Sequence, residues 1–391
     1  MLQKVLLIHY HEMSLKGANR PFFERILKDN IQKALPKDAY TSCDVCFGRI
    51  MVRLTEGADE DAMRERVRAV CGIANFAFAS LLPYDFSLLS EEVLGALATR
   101  EFTTFRVTAR RADKHFPLNS KEINEQLGAL IAARLGKRVD LEDPDVNCHI
   151  EIVGKNIFLY FKKEKGCGGL PAGSGGKVLS LISSGFDSPV ASWKMIRRGC
   201  EAVFVHFHSY PYTSQASQEN VREIVRALTK FQYRSTLILV PFLEIQKTIS
   251  TAGIPEGLRV VLYRRFMMRI AERIAVREAC KALVTGDSLG QVASQTLENI
   301  VAISAVTAMP ILRPLVGENK DDIIATATAI GTAAISAQPY EDCCSLFLPD
   351  HPETKATIEE VERCEAKLKT EELIALALAG AAREEITMEQ K

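Results

Sequence analysis

The residues best suited to chemistry lie in a short turn between a predicted strand and a predicted helix. The apolar run 178–182 is typical of a buried strand, and the hexapeptide SSGFDS at 183–188 follows it directly. Pro189 suits the first position of a helix, so we predict that a helix begins there with Ser188 as its N-cap. Such a turn directs backbone N–H groups and the positive end of the helix at one point, which favours an anion. Gly185 would let the backbone approach that anion closely.

A second chemical feature is the adjacent pair Cys343 and Cys344, in the polar stretch YEDCCS. A cysteine thiolate is a nucleophile, and a polar stretch of this kind can expose it. The alternative is that the pair consists of inert buried side chains. The residues alone leave both interpretations open.

The composition restricts the class of protein that carries these residues. The chain has 391 residues, of which 47% are hydrophobic and 25% are charged, the balance of a globular protein. Lys and Arg number 49, and Asp and Glu also number 49, so a nucleic-acid partner would have to be bound by local basic patches. The N-terminal sequence lacks the apolar core of a signal peptide, and no stretch has the apolarity of a membrane span. We therefore expect a cytoplasmic protein that does not bind a membrane.

The order of predicted elements indicates an α/β protein of several domains. Strands and helices alternate over residues 1–75, with one strand predicted at 49–54, which suits a ferredoxin-like domain. A second small α+β domain, with a strand predicted at 146–153, fits residues 76–165. The stretch 166–176 has six glycines in eleven residues and is predicted to be a linker. Residues 177–391 repeat a Val/Ile/Leu-rich strand followed by a helix, with one such strand at 201–208, which predicts a parallel, doubly wound sheet. The acidic tail after Ala356 is predicted to be a helical, solvent-facing end.

Basic residues are concentrated in two segments of this neutral chain. Residues 100–138 contain nine Lys and Arg against four Asp and Glu, and residues 259–281 contain seven against two. Positive charge of this density can bind an RNA backbone, or it can belong to solvated helix faces. In the first segment we predict phosphate contacts for Arg106, Arg110, Arg111 and Lys114.

Four segments of the chain resemble one family of RNA-modifying enzymes. They are LISSGFDSPVASWKMIRRGCEAVFVHFHSYPYTS, LVTGDSLGQVASQTLENI, ILRPLVGENKDDII and QPYEDCCSLFLPDHPETK, in this order. Together they are similar to the tRNA 4-thiouridine synthetase (tRNA sulfurtransferase, ThiI) family, in which SSGFDS corresponds to the PP-loop of ATP pyrophosphatases. The resemblance implies a THUMP RNA-binding domain at 76–165 and a PP-loop domain at 177–391. The chain departs from the family at Ser184, where glycine is usual, and shows no rhodanese domain of the kind some members carry.

The resemblance implies a reaction and a set of site residues. The reaction is ATP-dependent replacement of the O4 oxygen of uridine 8 in tRNA by sulfur, with release of AMP and pyrophosphate. A persulfide on Cys343 or Cys344 would supply the sulfur, and a second thiol would regenerate the carrier. Candidates for the second thiol are Cys200, Cys280 and Cys364. Asp187 would bind Mg²⁺ or orient the PP-loop, and Lys320 would place an ammonium group on the phosphates. The residues implied in ATP binding are Leu181, Ile182, Ser183, Gly185, Ser188, His206, Phe207, Arg264, Gly286 and Gln295.

The resemblance also implies partners. These are tRNA, a cysteine desulfurase that donates the persulfide, and a sulfur-carrier protein for a second role in thiamine biosynthesis; a homodimer is expected as well. Two alternatives stay open: another PP-loop tRNA-modifying enzyme, such as a ligase or amidotransferase, and a non-catalytic tRNA-binding protein. The first would need neither cysteine, and the second would bind tRNA without releasing AMP.

Overall fold

The computed structural model describes residues 2–112, 114–338 and 351–388. The chain divides into two compact units, Met1–Pro171 and Ala172–Lys391, and the division falls inside the glycine-rich stretch 166–176. Backbone hydrogen bonds hold both ends of that stretch, because Gly168 N–H donates to Ile73 in the first unit and Gly175 N–H donates to Gly199 in the second. Within the described ranges, the helices fall short of the length or the apolarity that a bilayer span requires.

The first unit contains nine strands, four α-helices and two short 3-10 helices in its described residues. The strands are β1 (Gln3–His9), β2 (Tyr40–Cys46), β3 (Arg49–Leu54), β4 (Asn75–Leu82), β5 (Thr104–Arg111), β6 (Arg138–Val139), β7 (Val146–Val153), β8 (Asn156–Tyr160) and β9 (Glu164–Lys165). The helices are α1 (Arg20–Ala34), α2 (Glu60–Arg68), α3 (Phe86–Ala98) and α4 (Ser120–Leu135). The sequence predicts β3 and β7 to the residue, whereas it does not predict β2, β6 and β9.

All nine strands belong to one sheet, ordered β2-β3-β1-β4-β8-β7-β5-β6, with β9 paired to β4. β4 begins at the predicted domain boundary and pairs antiparallel with β1 on one side and β8 on the other. The ferredoxin-like half and the second α+β half therefore share a continuous sheet. The apolar core under α3 and α4 contains Leu89, Phe105, Ile123 and Ile150, all fully buried.

A buried carboxylate joins the two halves of this sheet. Glu151 on β7 accepts hydrogen bonds from the Tyr160 hydroxyl at 2.6 Å and from Arg49 Nε at 2.7 Å, and His9 Nε2 lies 2.9 Å from it. Burial alone would raise the pKa of Glu151, but the contacts with His9, Tyr160 and Arg49 outweigh burial and hold it well below its usual range. Because β1 and β3 supply His9 and Arg49, this charge links the ferredoxin-like half to β7 and β8.

The second unit contains six strands and nine helices in its described residues. The strands are β10 (Lys177–Leu181), β11 (Glu201–His208), β12 (Arg234–Pro241), β13 (Leu283–Val284), β14 (Ile311–Leu312) and β15 (Ala382–Thr387). The helices are α5 (Asp187–Arg197), α6 (Ala216–Thr229), α7 (Leu243–Thr251), α8 (Arg259–Arg277), α9 (Leu297–Ser304), α10 (Lys320–Ile330), α11 (Ala333–Ser336), α12 (Ile358–Glu365) and α13 (Thr370–Ala379).

The second sheet has the order β14-β13-β10-β11-β12-β15. Its strands are parallel except β15, which runs antiparallel to β12. α5 and α6 pack against one face, and α8 and α13 pack against the other. This arrangement confirms the predicted parallel, doubly wound sheet. Since the carboxyl ends of β10, β11 and β13 meet at one edge, the turns that follow these strands converge there.

The acidic tail is not the solvent-facing end that the sequence predicts. Val361 on α12 and Ile374 on α13 are fully buried in the core against α8. Arg265 of α8 is 1% exposed and donates from Nε and Nη2 to the two carboxylate oxygens of Glu365, at 2.9 and 2.8 Å. The predicted helices are present, but the tail is not solvent-facing throughout, because its apolar residues pack against α8 and Glu365 pairs with Arg265 and Arg269 of that helix.

Candidate nucleotide site

The predicted phosphate turn, residues 183–188, joins β10 to α5. α5 begins at Asp187, two residues before the predicted start, so Ser188 lies inside the first turn and is not the N-cap. The Ser188 hydroxyl instead accepts a hydrogen bond from Ser183 N–H at 2.8 Å and lies 3.0 Å from the Ser183 hydroxyl. The predicted N-cap is wrong because the Ser188 hydroxyl bonds to Ser183, at the other end of the turn, instead of to the N–H groups of the helix.

The amino end of α5 has no side-chain cap within the described residues. Phe186 occupies the N-cap position, and its side chain offers no hydrogen-bond acceptor. The first-turn N–H groups and the helix dipole are therefore open to an anion. Gly286, in the turn after β13, approaches this end closely, since a Cβ at that position would lie 2.7 Å from Ser188 N and 2.9 Å from Ser188 Cα. Only glycine fits between these backbones without displacing one of them.

Asp187 connects the turn to two distant parts of the second unit. Lys320 Nζ donates to Asp187 Oδ1 at 2.7 Å, and Gln291 Nε2 donates to Asp187 Oδ2 at 2.9 Å. Lys320 is the first residue of α10, where the helix dipole disfavours a cation. The Asp187 carboxylate compensates this unfavourable position and holds the ammonium group beside the turn.

A cavity of about 490 Å³ opens at the carboxyl edge of the second sheet. Its walls include the predicted residues Leu181, Ile182, Ser183, Asp187, Ser188, His206, Phe207, Arg264, Gly286 and Gln295. Gly185 does not line the cavity, and its carbonyl accepts a hydrogen bond from the Ser336 hydroxyl at 3.2 Å. Lys320 does not line it either, and contacts it through Asp187. The sequence does not predict Asp287, Ser294, Pro352 and Glu353, which also line it.

His206 is held in place by hydrogen bonds on both sides of its ring. Nδ1 lies 3.0 Å from the Ile182 carbonyl, which can only accept, so Nδ1 carries the proton and donates. Nε2 lies 3.4 Å from the Ser217 hydroxyl. The side chain is 3% exposed. This environment suits a wall of the cavity better than a group that exchanges protons.

Arg264 is oriented by a buried carboxylate that the sequence does not single out. Arg264 Nη2 donates to Asp287 Oδ1, Arg313 Nε donates to Asp287 Oδ2 at 3.2 Å, and the Thr285 hydroxyl donates to Oδ2 at 2.7 Å. Burial would raise the pKa of Asp287, but Arg264, Thr285 and Arg313 outweigh it and lower that pKa. Of the two arginines on this carboxylate, only Arg264 lines the cavity, and its contact with Asp287 fixes the guanidinium group in the cavity wall.

The chain from His351 onward forms another wall that the sequence does not predict. Pro352 and Glu353 line the cavity, and the fully buried Asn299 donates from Nδ2 to the carbonyls of Glu353 (2.7 Å) and Ala293 (2.8 Å). Asn299 thereby links the turn that contains Gln295 to this wall. No sequence motif indicates such a role, because it depends on contacts between distant segments.

The predicted sulfur carriers Cys343 and Cys344 lie outside the described residues. The candidate second thiols Cys200, Cys280 and Cys364 are buried. Burial raises the pKa of Cys200 and raises that of Cys280 to about 11, so neither is a ready thiolate in this environment.

The predicted RNA contacts in the first unit differ in their surroundings. Arg110 and Lys114 are exposed. Arg106 Nη1 donates to the Leu141 carbonyl at 3.0 Å, and Arg111 Nη1 donates to the carbonyls of Phe116 (2.9 Å) and Leu118 (3.1 Å). Arg111 therefore stabilises the loop that follows it.

Lys163 is a further cation near these residues that the sequence does not single out. Burial and the nearby charges of Lys163, Arg110 and Arg106 lower the pKa of His149 to about 4. His149 stacks on Tyr160 at 4.9 Å between ring centroids. Three cations therefore lie close enough to His149 to disfavour its protonation.

Comparison with known protein families gives matches in both units. Residues 173–370 match the family described as Thiamine biosynthesis protein (ThiI). Residues 5–77 match the ThiI ferredoxin-like domain, and residues 88–162 match the THUMP domain. The chain belongs to the ThiI family.

Relatives of this ThiI-family chain carry the name of the predicted enzyme. A probable tRNA sulfurtransferase of Thermus thermophilus is 43% identical over 378 residues, which cover 96% of this chain and 93% of the relative. One of Coxiella burnetii is 42% identical over 385 residues, covering 96% of this chain and 97% of the relative. The crystal structure of a 4-thiouridine synthetase–RNA complex with bound ATP is similar with a TM-score of 0.89 and 34% identity, covering 99% of this chain and 100% of that chain.

These similarities confirm the predicted fold and the predicted enzyme class. The chain is an ATP-dependent tRNA sulfurtransferase of the ThiI family. They favour this function over a ligase or amidotransferase and over a non-catalytic tRNA-binding protein.

Proposed function

We propose that this enzyme adenylates the O4 oxygen of uridine 8 in tRNA and then replaces it with sulfur to give 4-thiouridine. In the first step, O4 bonds to the α-phosphorus of ATP and pyrophosphate leaves. In the second, the outer sulfur of the persulfide bonds to C4, and the C4–O bond breaks with release of AMP. A second thiol then attacks the carrier sulfur, so that the S–S bond breaks and 4-thiouridine leaves; the disulfide formed between the two thiols is reduced by external thiols, such as cysteine, before the next turnover. The observation that carries the proposal is the cavity at the end of β10, where the uncapped turn, Arg264 and the Asp187–Lys320 pair adjoin one another.

The residues of this cavity, together with Gly185 and Lys320 beside it, divide into two proposed groups. Ser183, Gly185 and Ser188 hold the phosphates through the turn, and Lys320 neutralises charge that develops as pyrophosphate leaves. Leu181, Ile182, His206, Phe207, Arg264, Gly286 and Gln295 hold the nucleoside and its α-phosphate. Two facts support this division: the turn's N–H groups lack a side-chain cap, and Arg264 is fixed by Asp287.

Asp187 is the residue that would bind Mg²⁺. The described residues contain no group of three or more His, Cys, Asp or Glu side chains placed to hold a metal ion. Mg²⁺ needs only one or two carboxylates when substrate phosphates and water complete its ligands, so a single Asp187 fits. When bound, the ion would neutralise charge on the phosphates, while Lys320 and Gln291 keep the carboxylate in position.

The sulfur carrier is proposed to be Cys343 or Cys344. The described residues on either side of that segment support the proposal, because both contact the nucleotide site. On one side, Ser336 donates to Gly185 of the turn at 3.2 Å; on the other, Pro352 and Glu353 line the cavity. We propose that a cysteine desulfurase loads the persulfide.

The remaining partners are also proposals. Arg106, Arg110 and Lys114 contact tRNA phosphates, a cytoplasmic location follows from the tRNA substrate, and a homodimer is expected. A second role in thiamine biosynthesis through a sulfur-carrier protein is favoured by the description of the matched family.

The test is mass spectrometry of tRNA nucleosides after incubation with ATP, Mg²⁺, cysteine and a cysteine desulfurase. We expect 4-thiouridine with the wild type and none with Asp187→Ala. We expect the Cys343→Ala/Cys344→Ala double variant to form the adenylated tRNA, seen as pyrophosphate release, without 4-thiouridine. Undiminished 4-thiouridine from the double variant would contradict the sulfur-carrier proposal, and its absence from the wild-type reaction would contradict the proposed function.

A further inference from the structure

Two exposed tyrosines follow β11 at the edge of the sheet where the nucleotide cavity lies. Tyr210 is 48% exposed and Tyr212 is 58% exposed. On either side of them, Ser209 and Thr213 are buried, at 0% and 3% exposure, whereas Pro211 between them is exposed. Two buried polar residues therefore flank an exposed segment that carries both aromatic rings.

The backbone of this loop is fixed by hydrogen bonds. Tyr212 N–H and Thr213 N–H both donate to the Ser209 carbonyl, at 2.9 and 3.2 Å. The Ser209 hydroxyl donates to the side chain of Gln246, which is also fully buried. These hydrogen bonds hold the loop backbone in one conformation, in which both rings are exposed. A ligand that contacts the rings would therefore order little additional backbone, and little conformational entropy would be lost.

Both ends of the loop contact the nucleotide site. His206 and Phe207, which precede it on β11, line the cavity. After the loop, Ser217 accepts a hydrogen bond at 3.1 Å from the hydroxyl of Ser184, a residue of the phosphate turn. The tyrosines therefore lie in a segment that borders the cavity.

A lysine completes the surface. Lys247 Nζ on α7 lies 4.7 Å from the ring centroid of Tyr212, over its face. Such a contact orients the ring, while more than half of the side chain stays exposed. An aromatic face beside an ammonium group matches a nucleotide, since the ring can stack on the base and the cation can pair with its phosphate.

We propose that Tyr210, Tyr212 and Lys247 form a stacking surface for an unpaired base of the RNA substrate, next to the ATP cavity. The inference rests on the proposed function, in which O4 of a uridine must reach the α-phosphate of ATP. A base inside a stacked helix cannot present that atom to a cavity, so it or its neighbour must leave the stack. An aromatic surface at the cavity edge replaces the lost stacking and holds the displaced base.

The first test is ultraviolet crosslinking of the full-length enzyme to tRNA, followed by digestion with trypsin and nuclease. Both tyrosines fall on one tryptic peptide, residues 199–222. We expect a nucleotide adduct on this peptide, with fragment ions that locate it on Tyr210 or Tyr212. The Tyr210→Ala/Tyr212→Ala variant should lose the adduct, and absence of the adduct from the wild-type enzyme would overturn the proposal.

The second test separates RNA binding from ATP chemistry by steady-state kinetics. For the double alanine variant we expect the KM for tRNA to rise about 5- to 100-fold, with the KM for ATP unchanged. The Tyr210→Phe/Tyr212→Phe variant keeps both rings and should behave like the wild type. An unchanged KM for tRNA in the alanine variant would overturn the proposed stacking surface. The proposed function is tested separately, because it stands as long as the wild-type enzyme forms 4-thiouridine.

Discussion

Lys320 Nζ lies 2.7 Å from Asp187 Oδ1, although the two residues are 133 positions apart in the chain. Their side chains are 44% and 21% exposed, so the pair adds little to stability. The importance of the pair is that it fixes the Lys320 ammonium group beside the uncapped turn that precedes α5.

Replacing Lys320 by Ala is expected to lower kcat for 4-thiouridine formation at least about 100-fold, because the charge that develops on pyrophosphate loses the ammonium group held beside the turn. Liquid chromatography with mass spectrometry of tRNA nucleosides measures the rate. The matched control is Lys177→Ala, which breaks the 3.2 Å contact of Lys177 with Glu201 at the opposite end of β10. That control should keep the wild-type kcat, and a Lys320→Ala enzyme with equal kcat would show that Lys320 has no part in the reaction.

Gly286→Ala is expected to impair ATP use without unfolding the protein. The added Cβ would lie 2.7 Å from Ser188 N and 3.0 Å from the Asp187 carbonyl carbon, so the start of α5 must shift. A displacement of this size at a phosphate site costs about 100-fold in kcat/KM for ATP. Gly95→Ala is the control, because a Cβ there meets nothing within 4 Å. Equal kcat/KM for the two variants would mean that the turn can move without loss.

Glu365→Gln is expected to lower the free energy of unfolding by about 3–5 kcal/mol, since it leaves the buried Arg265 without its counter-charge. Urea denaturation at neutral pH measures this. The control is Glu371→Gln on α13, whose partner Arg273 also lies on α8 but whose side chain is 73% exposed. That control should change stability by less than about 1 kcal/mol.

The effect of Glu365 should depend on pH. Burial would raise the pKa of this carboxyl, but Arg265 and Arg269 lower it below its ordinary value of 4.5. A depressed folded-state pKa means that the ion pair stabilises the protein above pH 4.5 and that this stabilisation is lost as pH falls below that value. The stability difference between wild type and Glu365→Gln should therefore shrink between pH 4.5 and pH 3. A difference that stays constant over that range would assign the loss to packing.

The adjacent residues Arg110 and Arg111 should respond differently to substitution. Arg110 is exposed, so Arg110→Ala is expected to weaken tRNA binding and to reduce the slope of log K against log salt concentration by about 0.7–0.9. Arg111 holds the carbonyls of Phe116 and Leu118, so Arg111→Ala should lower Tm. Filter binding at several salt concentrations and thermal denaturation distinguish the two. If Arg110→Ala left the salt slope unchanged, the phosphate contact would be refuted.

Much of the fold is predictable because local patterns decide it. β3, β7 and β11 occupy the residues that the sequence predicts, since each is an apolar run with clear turns at its ends. β2 is missed because Tyr40–Cys46 has almost no buried residue, and only Cys43 faces the core. The acidic tail is misjudged because its Glu365 and the arginines of α8 are about 100 positions apart, and nothing local shows that they pair.

In the candidate site, too, the sequence predicts the residues that belong to a local motif and misses those that act through contacts with distant segments. Residues on strand ends and in the SSGFDS turn are indicated by their motifs, and eight of them line one cavity together with Arg264 and Gln295, which the family resemblance implies. Asp287, Gln291 and Asn299 are missed because each acts by contacting a distant segment. The start of α5 is missed because Ser188, a favourable N-cap residue, bonds across the turn to Ser183.

The antiparallel strand β15 has a practical consequence for handling this protein. It pairs along the whole of Ser235–Leu239 and so covers the outer border of β12. Deleting residues 382–387 would uncover a row of backbone amides and carbonyls on a β-branched, apolar segment, which invites edge-to-edge association between molecules. Affinity tags and truncations at this end should therefore spare the last strand if the protein is to remain monodisperse during purification.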